Sequence, residues 1–470
     1  MPSLGRKLTP AEVLERIYGA VDELALSDNI DGDFWKVALC EALEMNRGFK
    51  SLYLSWCSLF NDEDCVTLAE AFKSTQTLTS ISLVGCGNFG SEGCTALAEG
   101  LKNNQTLMSI HLESCNGVRD GGYIALFEAL KSNRGVTKLH VACCSLGNEG
   151  CQVLSEALES NRSLAVLALT ECDEISQTGV KALSEVLKRN ETLRSIDFAC
   201  CSQFDDEACK DLSEALKSNQ ALLELDLSGC RSILGAGCKA LAEALKSNHT
   251  LTSIRLDACN FGDEGYWALG EAIGSNQALT SVGFAACLDF GDVACAALGE
   301  ALKSNQTLKI LDLSNCCKCG DEGCKALGEA LKSNHTLFQL NFEGCREWGC
   351  HRAGEIGHTA LAEALKSNRG LSRVNLRHLW MNDSSIEEFV KAVQINTNLL
   401  TLEMTLNGSP YRCDSSKYDE IARRLKENAL FRFETIALVL EHAVFLGGKE
   451  IPDELKVMIV RNFATSEFQY

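Results

Sequence analysis

Hydrophobic and polar residues follow a pattern along this chain that returns every 28 or 29 residues. Most copies open with the template L-x-x-L-x-L-x-x-C, as in LTSISLVGC at residues 78–86, and the first copy and the last two close with Asn29, Leu379 and Asn407 instead. Alternation such as Leu225-Asp226-Leu227 predicts a short strand with one buried face. The next segment, such as CKALAEALKSN at 238–248, has leucines one helical turn apart and therefore predicts a helix.

The template recurs at 14 places, which predicts 14 strand–helix units. Its spacing is regular except for one step of 34 residues between Leu337 and Leu371. Its first positions are Val21, Phe49, Leu78, Leu107, Val136, Leu164, Leu193, Leu222, Leu251, Leu279, Leu308, Leu337, Leu371 and Leu399.

Polar residues mark both ends of the predicted helices. Sequences such as GDEG at 262–265 place carboxylates at the helix start, where they favour the helix dipole. Asn248 follows the last turn of its helix, and we expect it to end the helix in the left-handed conformation.

Unequal spacing of strands and helices predicts the overall architecture. Parallel strands lie about 4.8 Å apart, whereas packed helices need about 8–10 Å. A stack with strands on one side and helices on the other must bend, which predicts an α/β open horseshoe with a concave parallel sheet. One unit cannot bury its apolar face alone, so near-identical neighbours bury it for each other.

Most of the 25 cysteines belong to the repeat. The closing position of the template is cysteine in eleven consecutive units, from Cys57 to Cys345, and a second position seven or eight residues later holds seven more. We expect these thiols to be buried and reduced. Cys143 and Cys200 precede the closing position and should face the concave side. Cys317, Cys319, Cys350 and His351 either bind a soft metal, sense redox conditions or are incidental. The two C-x-x-C pairs that are usual for a zinc site are not both present, so we expect no metal.

Charge and composition narrow the partner class. The net charge of −20 disfavours nucleic acid and anionic membranes and favours a basic or neutral protein partner. No apolar run reaches the length of a membrane span, and the first residues do not form a signal sequence. We therefore expect a cytoplasmic protein, either a monomer or a component of a larger assembly.

Catalytic patterns are weak. The string GCGNFG at 85–90 fits G-x-G-x-x-G, but it lies in one loop of the repeat and its sister loops lack the pattern. His111 and His140 occupy equivalent positions in adjacent units and should stack, with Glu113 nearby. They form either an acid–base pair or a contact surface. We expect a non-enzymatic protein without a catalytic residue, cofactor or metal.

Alternation also predicts which residues face the concave side and bind a partner. Aromatic and arginine side chains favour interface hot spots, and the middle units are acidic. An insert at 346–355 adds Trp348 at a rim as a further candidate. The predicted contact residues are Tyr53, Trp56, His111, Glu113, His140, Asp197, Asp226, Arg255, Asp257, Asp312, Glu343 and Arg377.

The template, followed by G-C-x-x-L-x-x-A-L at a period of 28–29 residues, resembles the ribonuclease-inhibitor class of leucine-rich repeats. It is also similar to the repeats of NOD-like receptors and of the Ran GTPase-activating protein. The resemblance covers residues 21–427 and implies a leucine-rich-repeat solenoid. We expect residues 1–20 to form an N-terminal capping helix and residues 428–470 a C-terminal helical cap.

The resemblance implies a scaffold that binds a protein on the concave face or its rims. Three narrower functions stay open. One is inhibition of an enzyme, as by ribonuclease inhibitor, and another is activation of a GTPase, as by the Ran activator. The third is a ubiquitin-ligase adaptor or pathogen effector, because IPDELKVMIVRNF at 451–463 resembles the start of an F-box.

Overall fold

The structure is a computed structural model. It describes residues 10–20, 22–27, 38–39, 41–43, 50–57, 59–316, 318–344, 353–379, 381–404 and 420–428. The chain divides into two compact units, Met1–Leu308 and Lys309–Tyr470. No helix within the described ranges is long and apolar enough to cross a membrane.

Strands and helices alternate through the described part of the first unit. The strands are β1 (Glu23–Ser27), β2 (Ser51–Ser55), β3 (Ser80–Val84), β4 (Ser109–Glu113), β5 (Lys138–Ala142), β6 (Val166–Thr170), β7 (Ser195–Asp197), β8 (Glu224–Asp226), β9 (Ser253–Arg255) and β10 (Ser281–Gly283). The helices are α1 (Pro10–Gly19), α2 (Asp62–Ser74), α3 (Ser91–Asn103), α4 (Asp120–Leu130), α5 (Asn148–Ser160), α6 (Gln177–Leu187), α7 (Asp206–Ser218), α8 (Gly235–Ser247), α9 (Gly262–Ser275) and α10 (Asp292–Ser304).

The ten strands of this unit form one open, parallel sheet in chain order. Pairing follows the repeat, so equivalent residues of successive units lie side by side. His111 pairs with His140, for example, and Asp197 pairs with Asp226. The register that the template predicts is therefore present strand by strand.

The core of the first unit lies between the sheet and the helices. Leu167 and Leu169 on β6 are fully buried, and Leu183 of α6 is buried with them. Aromatic rings fill the space near the strand ends, where the ring centroids of Phe198 and Phe204 are 5.2 Å apart. The remaining strand side chains point away from the helices and are the ones available to a partner.

Strand length changes within the first unit. Strands β1–β6 have five residues each, whereas β7–β10 have three. At β7 and β8 the carboxylates of Asp197 and Asp226 accept hydrogen bonds from Ala199 N at 2.7 Å and Ser228 N at 2.8 Å. In this turn the aspartate side chain accepts the backbone N–H that, in a longer strand, would donate to the neighbouring strand. Aspartate at this template position therefore ends these two strands early.

The described part of the second unit continues the same alternation. It contains β11 (Ile310–Asp312), α11 (Asp321–Ser333), β12 (Gln339–Asn341), α12 (Glu355–Ser367), β13 (Arg373–Leu376), α13 (Asp383–Ile395) and β14 (Thr401–Met404). These four strands are also parallel and paired in chain order. Residues 420–428 are helical.

Our expectation for the helix ends is wrong. Asn248 is extended, with φ −82° and ψ 126°, rather than left-handed. Its buried side chain makes the connection instead: Nδ2 donates to Leu216 O at 2.7 Å, and Oδ1 accepts from Leu251 N at 2.8 Å. The amide thus joins one unit to the preceding one, a role that an extended backbone permits.

The structure describes part of the predicted N-terminal cap but almost none of the predicted C-terminal cap. Helix α1 lies within the N-terminal segment for which we predict a capping helix. Residues 429–470 lie outside the described residues. The capping roles of residues 1–20 and 428–470 remain predictions.

Candidate protein-binding face

The candidate site is the side of the first unit's sheet that carries the outward strand side chains, here called the open face. Tyr53 on β2 is half-buried there, between the buried leucines of its strand. His111 and Glu113 on β4 are also half-buried, in the same alternating pattern. The alternation therefore places these three predicted contact residues on the open face.

A residue in the left-handed conformation follows each strand from β2 to β10. Its N–H donates to the carbonyl oxygen of the neighbouring unit, as from Trp56 N to Val84 O at 2.6 Å and from Glu171 N to Ala199 O at 2.8 Å. These residues form a row that we call the left-handed column. In the first unit it comprises Trp56, Gly85, Ser114, Cys143, Glu171, Cys200, Gly229, Ala258 and Ala286.

Trp56 is the largest side chain of the left-handed column. Its φ is 57°, and 56% of the residue is exposed. A Cβ atom on Gly85 would lie 2.4 Å from the indole ring, so the ring covers the glycine of the next unit. One side of the indole is thereby fixed against backbone, which suits an interface anchor.

Cys143 and Cys200 belong to the same column. Cys200 is exposed and Cys143 half-buried, whereas every other cysteine of the described residues is buried. The Cys143 thiol donates to Glu171 Oε2 at 3.2 Å. Burial and this hydrogen bond raise the pKa of Cys143 to about 11, so its thiol is protonated at neutral pH.

His111 and His140 stack as the sequence predicts. Their ring centroids are 4.3 Å apart, with an angle of 7° between the planes. Glu113 Oε2 lies 3.2 Å from His111 Nε2, and Thr170 Oγ1 lies 2.9 Å from His140 Nε2. Burial and, to a smaller extent, the charge of His111 together lower the pKa of His140 to about 4. His140 is therefore neutral near pH 7.

Acidic residues occupy the next part of the open face. Asp197 and Asp226 are direct neighbours on β7 and β8. Burial raises the pKa of Asp197 to about 6, with the charge of Asp226 acting in the same direction. The hydrogen bond from Ala199 N and the charge of Arg255 act against this rise.

Arg255 on β9 is the cation of this region. Its guanidinium lies 3.0 Å from Asp257 Oδ2 through Nη2 and 3.5 Å from Asp226 Oδ2 through Nε. The Arg255 side chain is 60% exposed, whereas those of both carboxylates are mostly covered. Two predicted contact carboxylates thus hold the third predicted residue in place at the surface.

The predicted residues of the second unit form their own network. Asp312 Oδ2 accepts from Asn341 Nδ2 at 3.1 Å, and Asn341 Oδ1 accepts from Asn375 Nδ2 at 3.0 Å. Asn375 also donates to Glu343 Oε2 at 3.0 Å. Arg377 N donates to Asn375 Oδ1 at 3.0 Å, and the Arg377 guanidinium forms an ion pair with Glu403 at 2.8 Å.

A family model described as Leucine Rich repeat matches residues 75–98, 132–155, 218–242, 247–269 and 304–328. Each matched segment runs from a helix end through one strand into the next helix. These five segments are leucine-rich repeats, and the parallel strands and alternating helices of the described residues fit a leucine-rich-repeat solenoid. No curated protein matches it significantly.

Two solved structures illustrate what these leucine-rich repeats are similar to. "Leiomodin-1 Actin-Binding Site 2 (ABS2)" is 22% identical with a TM-score of 0.26, over 28% of this chain and 76% of that chain. "Crystal structure of Rad7 and Elc1 complex in yeast" is 16% identical with a TM-score of 0.40, over 79% of this chain and 82% of that chain.

The closing cysteines of the leucine-rich repeats are buried free thiols in the described units, as predicted. From Cys57 to Cys287, each contacts a backbone carbonyl oxygen of the preceding repeat, for example Cys201 Sγ to Leu169 O at 3.0 Å and Cys230 Sγ to Phe198 O at 3.1 Å. These thiols therefore join one repeat to the next.

The candidate metal cluster lies mostly outside the described residues. Cys317, Cys350 and His351 are not among them, and neither is Trp348 of the insert. Cys319 is buried, with its Sγ 4.0 Å from Cys324 Sγ. Within the described ranges, no group of three or more histidine, cysteine or acidic residues could hold a metal ion.

Sequence reasoning missed two features of the open face and its counterpart in the second unit. Asn375 was not predicted to contact a partner, although it occupies the same template position as Asp226 and Asn341. The left-handed column was also missed. The signal for it was glycine before the closing cysteine, at Gly85, Gly229 and Gly344, of which Gly85 and Gly229 have a positive φ.

Proposed function

We propose that this protein is a non-enzymatic interaction scaffold that binds a protein partner with a basic or neutral surface on the open face. The charged network of Asp197, Asp226, Arg255 and Asp257 carries the proposal. Complementary charge steers such a partner and fixes its register.

The aromatic end of the open face supports the same proposal. Trp56 is largely exposed but is fixed over Gly85, so binding would order few additional rotamers. Tyr53 lies on β2, three residues before Trp56. Tryptophan and tyrosine dominate interface energies when they become buried, so we assign them the anchoring contacts.

The repeat chemistry supports a narrower assignment within this proposal. A closing cysteine and a period of 28–29 residues favour the ribonuclease-inhibitor class. Buried free thiols at successive closing positions suit a reducing compartment, and we place the protein in the cytoplasm on that ground. Inhibition of a basic enzyme would be one specific form of the proposed function.

The test compares two triple variants in capture from native lysate, followed by quantitative mass spectrometry. One variant carries Asp197→Asn, Asp226→Asn and Asp257→Asn on the open face. The other removes three exposed helix carboxylates that pair with lysines, through Glu214→Gln, Glu243→Gln and Glu300→Gln. Both lose three negative charges, so general charge effects cancel.

We expect the open-face variant to lose at least one captured protein by fivefold or more, while the helix variant retains it. That protein is then purified and its affinity for both variants is measured by calorimetry. Equal capture by the two variants would place the binding surface elsewhere. Asparagine keeps the side-chain acceptor for the turn, so the open-face variant should remain folded.

A further inference from the structure

Parallel pairing of equivalent residues places like groups side by side on the open face. Asp197 and Asp226 are an instance, on adjacent strands of the first unit. Two neighbouring carboxylates oppose each other's ionisation, and burial opposes it further. Such a pair takes up a proton more readily than an isolated surface carboxylate.

The surroundings of Asp197 explain which carboxylate takes the proton. Arg255 lies on the far side of Asp226 and contacts Asp226 and Asp257. No lysine, arginine or histidine of the described residues lies within ion-pair distance of Asp197. Asp226 therefore has a cation at contact distance, and Asp197 has none.

Other charged groups near Asp197 do not supply that cation. On the β6 side its strand partner is Ala168, and the Glu171 carboxylate beyond it accepts from Cys143. On the β8 side, Glu224 precedes Asp226 and adds a second negative charge. Arg194, just before β7, donates to Ala221 O.

The remaining titratable neighbour is Cys200, which follows on the same chain segment. Burial raises the pKa of its thiol, so it is neutral near pH 7. The groups around Asp197 are therefore negative, neutral or cations with other partners: Arg255 contacts two other carboxylates and Arg194 donates to Ala221 O.

We infer that Asp197 is a proton-operated switch on the open face, charged near pH 7.5 and neutral after mild acidification. Its consequence for binding rests on the proposed function: a basic partner binds more weakly when Asp197 is protonated. The pKa of about 6 for Asp197 places the transition between pH 7 and pH 5.

The direct test is carbon-13 NMR of the full chain labelled at the aspartate side-chain carboxyl carbon. The resonance that Asp197→Asn removes belongs to Asp197, and its shift is followed from pH 8 to pH 4. Ala168→Lys adds the missing cation on the β6 side, and Ala168→Met is the matched variant of similar length without charge.

We expect a midpoint near pH 6 in the parent protein and in Ala168→Met, and a midpoint at least one pH unit lower in Ala168→Lys. A midpoint near pH 4 in the parent protein would overturn the inference. So would a midpoint that Ala168→Lys leaves unchanged relative to Ala168→Met.

The binding consequence is measured with a fluorescent oligo-arginine peptide at pH 7.5 and 5.5, at one ionic strength. We expect the affinity of the parent protein to fall at least threefold at pH 5.5, and that of Asp197→Asn to fall less. If the peptide binds at neither pH while the NMR midpoint of Asp197 is near pH 6, the proposed basic partner is contradicted and the switch is retained. If the peptide binds equally at both pH values and the NMR midpoint of Asp197 is near pH 4, the switch is contradicted and the proposed partner class is retained.

Discussion

At the scale of single residues, aspartate at one template position affects both strand length and surface chemistry in β7 and β8. Asp197 and Asp226 point to the open face as alternation predicts, but each also accepts the backbone N–H that ends its strand. Alternation reveals only the direction of a side chain. Whether it binds a partner or its own backbone depends on distances that the sequence does not contain.

Replacing Asp197 with asparagine should stabilise the fold at neutral pH. Burial raises the folded-state pKa of Asp197 to about 6, so the folded state favours the protonated form. Stability therefore falls as pH rises from about 4 to 6, where the folded state holds a proton that the unfolded state has released. Asparagine never ionises and keeps the turn, as Asn375 does at the equivalent position by accepting from Arg377 N at 3.0 Å.

Urea denaturation at pH 7.5 should show Asp197→Asn about 1 kcal/mol more stable than the parent protein. The full pKa shift would give more, but the carboxylate is partly exposed and solvent screens it. The advantage should vanish near pH 4. A variant that is less stable at pH 7.5 would contradict this prediction.

Replacing His140 with glutamine should have the opposite pH dependence. Burial lowers the folded-state pKa of His140 to about 4, so the folded state resists protonation. The parent protein should lose stability as pH falls from 6.5 towards 4, whereas His140→Gln should not suffer this loss.

The two proteins are compared by urea denaturation at pH 7.5 and pH 5. We expect the stability difference between them to shift by about 1 kcal/mol in favour of His140→Gln at pH 5, since partial exposure reduces the effect of the full pKa shift. A stability difference that is the same at both pH values would show that the pKa of His140 is not lowered in the folded state.

At the scale of elements, a carboxylate of one helix caps the start of the next helix. Asp206 Oδ1 at the start of α7 accepts from Leu234 N at 2.7 Å and Gly237 N at 2.8 Å, both at the start of α8. A Cβ atom on Gly237 would lie 2.7 Å from this oxygen, which explains the glycine. The sequence places carboxylates at helix starts, but it does not show that they cap a neighbouring helix.

Asp206→Ala should destabilise the protein by about 1–2 kcal/mol, because two backbone N–H groups at the start of α8 lose their acceptor. Asp206→Asn should retain most of the stability, because asparagine can make the same contact. At the start of α5, Asn148 Oδ1 accepts a hydrogen bond from Gly179 N of the next helix at 2.8 Å. Glu207→Ala, which loses only an exposed pair with Lys210, serves as the control.

The measurement is the midpoint of urea denaturation, with hydrogen exchange at Leu234 and Gly237 to locate the effect. Faster exchange at these two amides in Asp206→Ala, and not in Glu207→Ala, is expected. Equal stability of Asp206→Ala and Glu207→Ala would show that the inter-helix cap contributes little.

At the scale of the whole molecule, the sequence predicts the repeat well because strand, helix and closing cysteine return at a fixed period. The α/β fold and the parallel pairing follow from that period and are present in the structure. The left-handed column and the extended Asn248 do not follow, because both depend on hydrogen bonds between units. The repeat shows which residues occupy equivalent positions. The conformation and hydrogen bonds of each residue depend on its contacts with the neighbouring repeats, which the sequence does not show.

Because each unit buries its apolar face against its neighbours, removal of one whole period should preserve the fold. Deleting residues 137–164 removes β5 and α5 and joins Val136 to Ala165, so the template continues in register. Asp120 of α4 caps Gly147 N in the parent protein and would instead face the start of α6. We expect a single cooperative urea transition, a circular dichroism spectrum of parent shape, and Cys172 protected from thiol reagents.

Deleting residues 137–150 removes β5 but leaves most of α5 without a strand, and should expose Cys172 and lower cooperativity. Similar behaviour of the two deletions would show that the period is not the unit of stability.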